Sequence, residues 1–145
     1  MQLIGFNFTK ISAERKQVAP QEANVDTNIE FLNVTEEKMD LLKDKTSLKV
    51  HFSQVVTYGS PKEAKKQEQY ASLTFEGIMS IAATSDEARD LLKSWKKKEL
   101  PNEIKFPLFN IILAKCSVKS LQLQEELSLP FHPQLPRLTP QQKAN

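Results

Sequence analysis

The segment from Phe106 to Ser120 is apolar on almost every side of the helix that its sequence predicts. Pro107 is tolerated in the first turn of a helix, so we place the start of this helix near Phe106. A helix that is apolar all round must be covered on all sides. One small sheet can cover only one side, and we therefore expect a second copy of the chain, or a bound partner, to cover the rest.

A second, amphipathic helix precedes this segment. Thr84 and Glu87 are spaced as a capping box. The apolar positions that follow recur with helical spacing: Ala88, Leu91, Leu92 and Trp95. The lysine run 96–98 could attract nucleic acid or an acidic partner, but we prefer the simpler explanation that cations favour a helix C-terminus. Leu100-Pro101 is predicted to end this helix.

Upstream, four segments alternate apolar and polar residues as β-strands do. They are 4–9 (continuing toward Arg15), 26–36, 47–57 and 70–82. Val34 falls one step out of phase, which suggests a bulge or a twist, and Gly77 indicates a bulge or a close backbone approach. Residues 18–26 are interpreted as a crossing loop, 62–69 as a hairpin loop, and 35–45 as a turn or a short helical piece. The predicted fold is α+β, with a meander-like, four-stranded antiparallel sheet packed by two C-terminal helices.

Length and the C-terminal sequence set the domain organisation. A chain of 145 residues is most simply one domain, here 1–138, with a flexible end at 139–145. Prolines recur in the tail with a spacing near three: Pro130, Pro133, Pro136 and Pro140. This spacing is typical of polyproline II or of an extended segment on a surface.

Composition excludes several classes of protein. The net charge of +2 is too small to argue for nucleic-acid binding. Cys116 is the only cysteine, so there is no intrachain disulfide. Neither a signal peptide nor an apolar run approaching the ~20 residues of a membrane span is recognisable. We expect a cytoplasmic protein that does not insert into membranes.

The sequence also lacks the usual residues of an enzyme. The three glycines are isolated and form no phosphate loop, and one cysteine with two distant histidines gives no metal-ligand spacing. Cys116 lies in an apolar helix and is interpreted as a buried thiol. His51 alternates outward from the third strand and is interpreted as a solvated residue. We expect no catalytic activity, no cofactor and no metal.

Several motifs, in order, resemble the SecB family of protein-export chaperones. Gly77-Ile78-Met79-Ser80-Ile81-Ala82 is similar to that family's G-I-F-S-I-A, and the stretch 100–107, LPNEIKFP, is similar to its P-N-I-L-F-P. Gln122-Leu123-Gln124 is similar to the Q-L-N after the long helix, and Ile11-Ser12-Ala13-Glu14 to the I-S-x-E of the first strand. The resemblance is specific from Phe75 to Leu123.

The resemblance implies a homotetramer, assembled as a dimer of dimers, that acts as an ATP-independent holdase. Members of the family hold unfolded polypeptides in hydrophobic grooves; many pass them to the export motor SecA, and some serve toxin–antitoxin systems. Here Lys10 and Ser72 stand where acidic residues are expected, which argues against docking to SecA. The prolines of the tail also forbid the C-terminal lid helix of export members.

The resemblance also suggests which apolar residues line a client groove. From the long helix and the second strand these are Phe109, Ile112, Leu113, Ile29 and Phe31, with Phe131 and Leu135 if the tail lies over the groove. Taken without the resemblance, the apolar residues of the long helix are ordinary core or oligomer interface. The alternative function is that of a dedicated adaptor for one partner protein, such as an antitoxin.

Overall fold

The computed structural model describes residues 1–16, 23–37 and 45–130. Four strands are followed by two helices, which confirms the α+β fold class. The elements are β1 Gln2–Arg15, β2 Asn24–Glu37, β3 Lys45–Gly59, β4 Gln69–Thr84, α1 Ser85–Trp95 and α2 Asn102–Glu126. The predictions for the proline-rich tail beyond Pro130, and most of those for 35–45, lie outside the described residues.

All four strands pair antiparallel in the order β1-β4-β3-β2. The strands β2, β3 and β4 therefore form a meander, while β1 returns to pair with β4. The two strands at the edges of the sheet are β1 and β2, and the connection between them passes from one edge to the other. This is the connection interpreted from the sequence as a crossing loop, although its residues 17–22 are not among those described.

The edge strand β2 carries the predicted bulge. Its pairing with β3 shifts between Phe31 and Asn33, so Leu32 is the extra residue. Because one inserted residue reverses the alternation, Val34 returns to the buried face, where it pairs with Val50. The other edge strand, β1, has two such irregularities, after Leu3 and after Phe8.

One face of the sheet packs against the helices, and we call it the helix face. The central strands contribute its largest buried side chains: Phe52, Val56, Tyr58, Leu73, Phe75 and Met79. Leu108, Ile112 and Cys116 of α2 are buried in the same core. Burial of each large apolar side chain stabilises the fold by roughly 1.5–3 kcal/mol. The outer face of the same two strands is more polar, with half-buried side chains that include Ser53, Thr57, Ser72, Thr74 and Ser80.

Gly77 allows β4 to approach its neighbours closely, as predicted. It pairs with Phe52 of β3, whose ring lies over it. A Cβ atom at position 77 would lie 2.6 Å from the backbone oxygen of Asn7 and 2.7 Å from the Phe52 ring. Only glycine fits between the ring and the backbone of β1 without a shift of one of them.

The amphipathic helix α1 begins where its sequence predicts. Thr84 Oγ1 accepts a hydrogen bond from the Glu87 backbone N–H at 3.2 Å, and Glu87 Oε1 accepts one from the Thr84 N–H at 3.0 Å. This is the predicted capping box. The helix ends at Trp95, earlier than the Leu100-Pro101 stop that the sequence suggested. Lys98 then takes a left-handed conformation, with φ of 58°, and turns the chain toward α2.

The predicted bounds of α2 were wrong at both ends. It begins at Asn102 rather than near Phe106, and it ends at Glu126 rather than at Ser120. Pro107 is therefore the sixth residue of the helix. It lies on the exposed side, where water can take the place of the backbone hydrogen bond that proline cannot make.

The end of α2 is fixed to the sheet. Ser128 adopts a φ of 54°, and the Leu129 N–H donates to the Gln124 carbonyl at 2.8 Å, as in a Schellman cap. Gln124 Nε2 donates to Tyr58 Oη, which in turn donates to the Pro130 carbonyl at 2.8 Å. Arg15 of β1 donates to the Leu127 carbonyl. Burial raises the pKa of Tyr58 to about 12, so this donor stays protonated at neutral pH.

Candidate functional site

A groove lined by both apolar and charged side chains runs between the edge strand β2 and the start of α2. Ile29 and Phe31 line it from the sheet, Phe109 from α2, and Trp95 and Leu100 from the corner between the helices. Its volume is about 340 Å³. We call it the β2–α2 groove. It exists because α2 lies over the central strands, which leaves Ile29 and Phe31 of the edge strand only half-buried.

Three aromatic side chains line the groove together with charged residues. The rings of Phe31 and Phe109 are stacked, with centroids 5.0 Å apart and planes at 18°. Lys105 Nζ lies 5.4 Å from the centre of the Phe109 ring, and Lys98 Nζ lies 4.9 Å from the Trp95 ring. Both lysines therefore hold a cation beside apolar surface.

A second depression adjoins the groove at the corner between α1 and α2. Lys93, Ser94 and Lys97 of the first helix and its turn line one side, and Pro101 and Asn102 line the other. Its volume is about 440 Å³. Glu99 and Leu100 line both depressions, so the two lie side by side and share a wall. We call this second depression the lysine pocket.

The backbone of β2 is open along one edge. In the part of the chain that the structure describes, β2 pairs with β3 only. Its other edge, beside Ile29 and Phe31, therefore faces no other strand among the described residues. An extended polypeptide could pair with this edge as an additional strand.

The structure brings together three of the residues predicted from the sequence to line a groove. Ile29, Phe31 and Phe109 share the β2–α2 groove. Leu113 is 39% exposed on α2 and is not among the lining residues, whereas Ile112 is fully buried in the core against the sheet. Phe131 and Leu135 lie outside the described residues.

Sequence reasoning missed six groove residues: Glu30, Trp95, Lys98, Glu99, Leu100 and Lys105. The spacing of Trp95 assigned it to the buried side of α1, and Lys98 was explained by its position at a helix end. Their contribution depends on how the corner between α1 and α2 sits against β2. No local pattern in the sequence reports that placement.

The helix α2 exposes more apolar surface than a sheet-packed helix usually does. Phe106 is 57% exposed and Val118 is 61% exposed, in addition to Leu113. On β1, Ile4 and Ile11 are also exposed. The sheet therefore covers only one side of this helix, as its sequence predicts.

The residues that could carry chemistry are placed unfavourably for it. Cys116 is fully buried, and burial raises the pKa of its thiol to about 12, so it is a protonated core side chain. His51 points to the outer face of the sheet, where it pairs with Ile78 of β4 and Asn33 of β2. Among residues 1–16, 23–37 and 45–130, no three His, Cys, Asp or Glu side chains are grouped to hold a metal ion. Within the same ranges no helix has the length and apolarity to cross a bilayer.

Comparison with known proteins shows a structural similarity but no match in sequence. No family model matches the sequence, and no curated protein matches it. Among solved structures, the chain is similar to a SecB-like chaperone of Mycobacterium tuberculosis in complex with a ChAD peptide from the HigA1 antitoxin. The match has 13% identity and a TM-score of 0.48, and it covers 95% of this chain and 92% of that one. We therefore base the function proposed below on the surface of this chain.

Proposed function

We propose that this protein is an ATP-independent holding chaperone that binds non-native polypeptide segments in the β2–α2 groove. The observation that carries the proposal is the position of the groove. An aromatic surface made by Phe31, Trp95 and Phe109 lies beside an edge of β2 that no other described strand covers. The proposal includes no catalytic activity and no cofactor.

Such a site suits unfolded chains because they share chemistry rather than sequence. They expose apolar side chains, which the aromatic rings can bury, and unpaired backbone, which the edge of β2 can pair. A protein that binds the unfolded state preferentially withdraws it from aggregation and from folding by mass action. No nucleotide is needed for this.

The exposed apolar side of α2 has a separate role in the proposal. Phe106, Leu113 and Val118 would form a large exposed patch in a monomer, and soluble monomers avoid such patches. We propose that a second copy covers this side, in the dimer of dimers that the sequence motifs imply. The proposal does not include transfer of clients to a SecA-type motor, because Lys10 and Ser72 argue against docking to it.

A test of the proposal is suppression of aggregation. A chemically denatured client is diluted with and without the protein, and light scattering is followed over time. We expect suppression at an equimolar ratio of protein to client, and a loss of most of it in the Phe31→Ser, Phe109→Ser double variant. Ile78→Ser is the matched control, since Ile78 is a half-buried apolar residue on the outer face. Equal activity of both variants, or no suppression by the natural protein, contradicts the proposal.

One observation favours the alternative of a dedicated adaptor. At about 340 Å³, the groove is near the lower end of the range for ligand sites, roughly 300–1,000 Å³. A site of that size can select a few side chains of one partner. Purification from the native cell separates the alternatives, because an adaptor retains one stoichiometric partner and a general holdase retains many proteins.

A further inference from the structure

We propose that the preferred occupant of the β2–α2 groove is an extended polypeptide segment in which an aromatic or large aliphatic residue has acidic residues close to it in sequence. The inference rests on the proposed function and adds a specificity to it. It depends on the wall, formed by Glu99 and Leu100, that the groove shares with the lysine pocket. A segment that places an apolar side chain on Phe31 and Phe109 can continue past Leu100 into the lysine pocket.

Among the residues that the structure describes, the lysines that line the two depressions have no ionic partners. Four lysines line them (Lys93, Lys97, Lys98 and Lys105), against the two acids Glu30 and Glu99. Across the described ranges, the lysines found within 4.0 Å of a carboxylate are Lys49 and Lys66, which lie elsewhere. Glu30 already accepts a hydrogen bond from Asn28 at 3.2 Å. A bound carboxylate would therefore meet unpaired ammonium groups without displacing an existing ion pair.

The placement of two of these lysines links the apolar and the charged parts of the site. Lys98 and Lys105 lie over the rings of Trp95 and Phe109. An apolar side chain in the groove thus lies within a few ångströms of a cation, and the next residues of the same segment are the ones that reach it. Carboxylates near such cations are stabilised most when the apolar contact excludes water.

Charges on the edge strand favour one placement of the bound segment. β2 carries the exposed acids Asp26 and Glu36 outside the groove and the exposed acid Glu30 at the groove. These charges repel an acidic stretch laid along β2 and favour its placement in the lysine pocket. The same acids repel a nucleic acid, whose phosphates would pass along β2. By contrast, the open edge of β2 can form hydrogen bonds with the backbone of a polypeptide. We therefore favour a polypeptide over an oligonucleotide.

The experiment uses three labelled unstructured peptides that share one apolar core and differ in the flanking residues, which are acidic, neutral or basic. Fluorescence anisotropy gives affinity for the full-length protein, and emission of Trp95, the only tryptophan, reports on occupancy of the groove. We expect the acidic peptide to bind at least about fivefold more tightly than the basic one at low salt, a difference that two or more exposed ion pairs can supply. In about 0.5 M salt the difference should largely disappear, because screening is then strong.

Reversing the charge of two lysines tests whether the lysine pocket causes the preference for the acidic peptide. The Lys93→Glu, Lys97→Glu variant should lose the preference for the acidic peptide and bind the neutral peptide as before. Lys62→Glu, Lys65→Glu is the matched control, because it changes the net charge equally at two exposed residues of the β3–β4 loop that line neither depression. This control should keep the preference.

The outcomes separate the inference from the proposed function. Equal binding of the three peptides, with a change in Trp95 emission, overturns the inference and leaves the holding function intact. Absence of peptide binding together with absence of aggregation suppression contradicts the proposed function itself. Tighter, lysine-dependent binding of a single-stranded oligonucleotide would show that the lysine pocket serves nucleic acid, and would also overturn the inference.

Discussion

The two helices of this chain carry different kinds of information. The helix α1 has a capping box, one buried side and an exposed charged side, so its sequence fixes both where it begins and how it lies. The helix α2 has no side-chain cap at Pro101, contains a proline, and is apolar on the side that faces the sheet and on the side that does not. The sequence of α1 therefore predicts its start and its buried side. The sequence of α2 does not predict its buried side, because the helix also has apolar side chains that one chain leaves exposed.

The two sides of α2 should differ most in their effect on stability. Ile112→Ala removes a fully buried side chain and leaves a cavity against the sheet, and we expect the free energy of unfolding to fall by about 2–5 kcal/mol. Its neighbour Leu113 is 39% exposed, and Leu113→Ala should change the free energy of unfolding by only about 0.5 kcal/mol. Urea denaturation at low protein concentration measures both.

The control for this comparison is the mass of the protein in solution. If a second copy covers the exposed side of α2, Leu113→Ala combined with Phe106→Ala should lower the mass found by light scattering while each subunit stays folded. An unchanged mass, or an equal loss of stability in the Ile112 and Leu113 variants, would mean that the two sides of α2 do not differ as described.

The same contrast explains how much of the fold the sequence predicts. The capping box of Thr84 and Glu87, the phase change at Val34 and the close approach at Gly77 are local signals, and the structure confirms all three. No local signal in the sequence marks the start of α2. Pro107 argues for a start near itself, but its place on the exposed side lets the helix begin one turn earlier.

The candidate site is less predictable than the fold for a physical reason. Because α2 is apolar all round, its periodicity cannot show that Ile112 points inward and that Leu113 does not. Trp95 and Lys105 join the groove only through the packing of the α1–α2 corner against β2. Sequence patterns report burial along one element, and a groove between three elements depends on their relative placement.

The buried thiol of α2 predicts a dependence of stability on pH. Burial raises the pKa of Cys116 from its ordinary value of 9.0 to about 12. Between these values the folded protein keeps a proton that the unfolded chain releases, so the free energy of unfolding is fully retained below about pH 9 and falls as the pH rises toward 12. The expected slope from this group is about 1 kcal/mol per pH unit.

Cys116→Ala separates this contribution from others. Tyr58 also has a raised pKa and contributes in the same direction, beginning near its ordinary value of 10.0. Urea denaturation at pH 8 and pH 10 should therefore show a smaller decrease in the variant than in the natural protein. An identical decrease in both would show that the thiol is not protected in the folded state.

The last prediction concerns the start of α1. Thr84→Ala removes the hydroxyl that accepts the Glu87 N–H, and we expect a loss of about 1 kcal/mol in the free energy of unfolding. Thr84→Ser keeps a hydroxyl and should lose much less.

At the start of α2, where Pro101 makes no such bond, Pro101→Ala removes no capping interaction and should leave the N-terminal cap contribution unchanged. Thermal denaturation of the three variants compares the two helix starts directly. A loss from Thr84→Ser as large as that from Thr84→Ala would mean that packing of the threonine methyl, and not the cap, holds the first turn of α1.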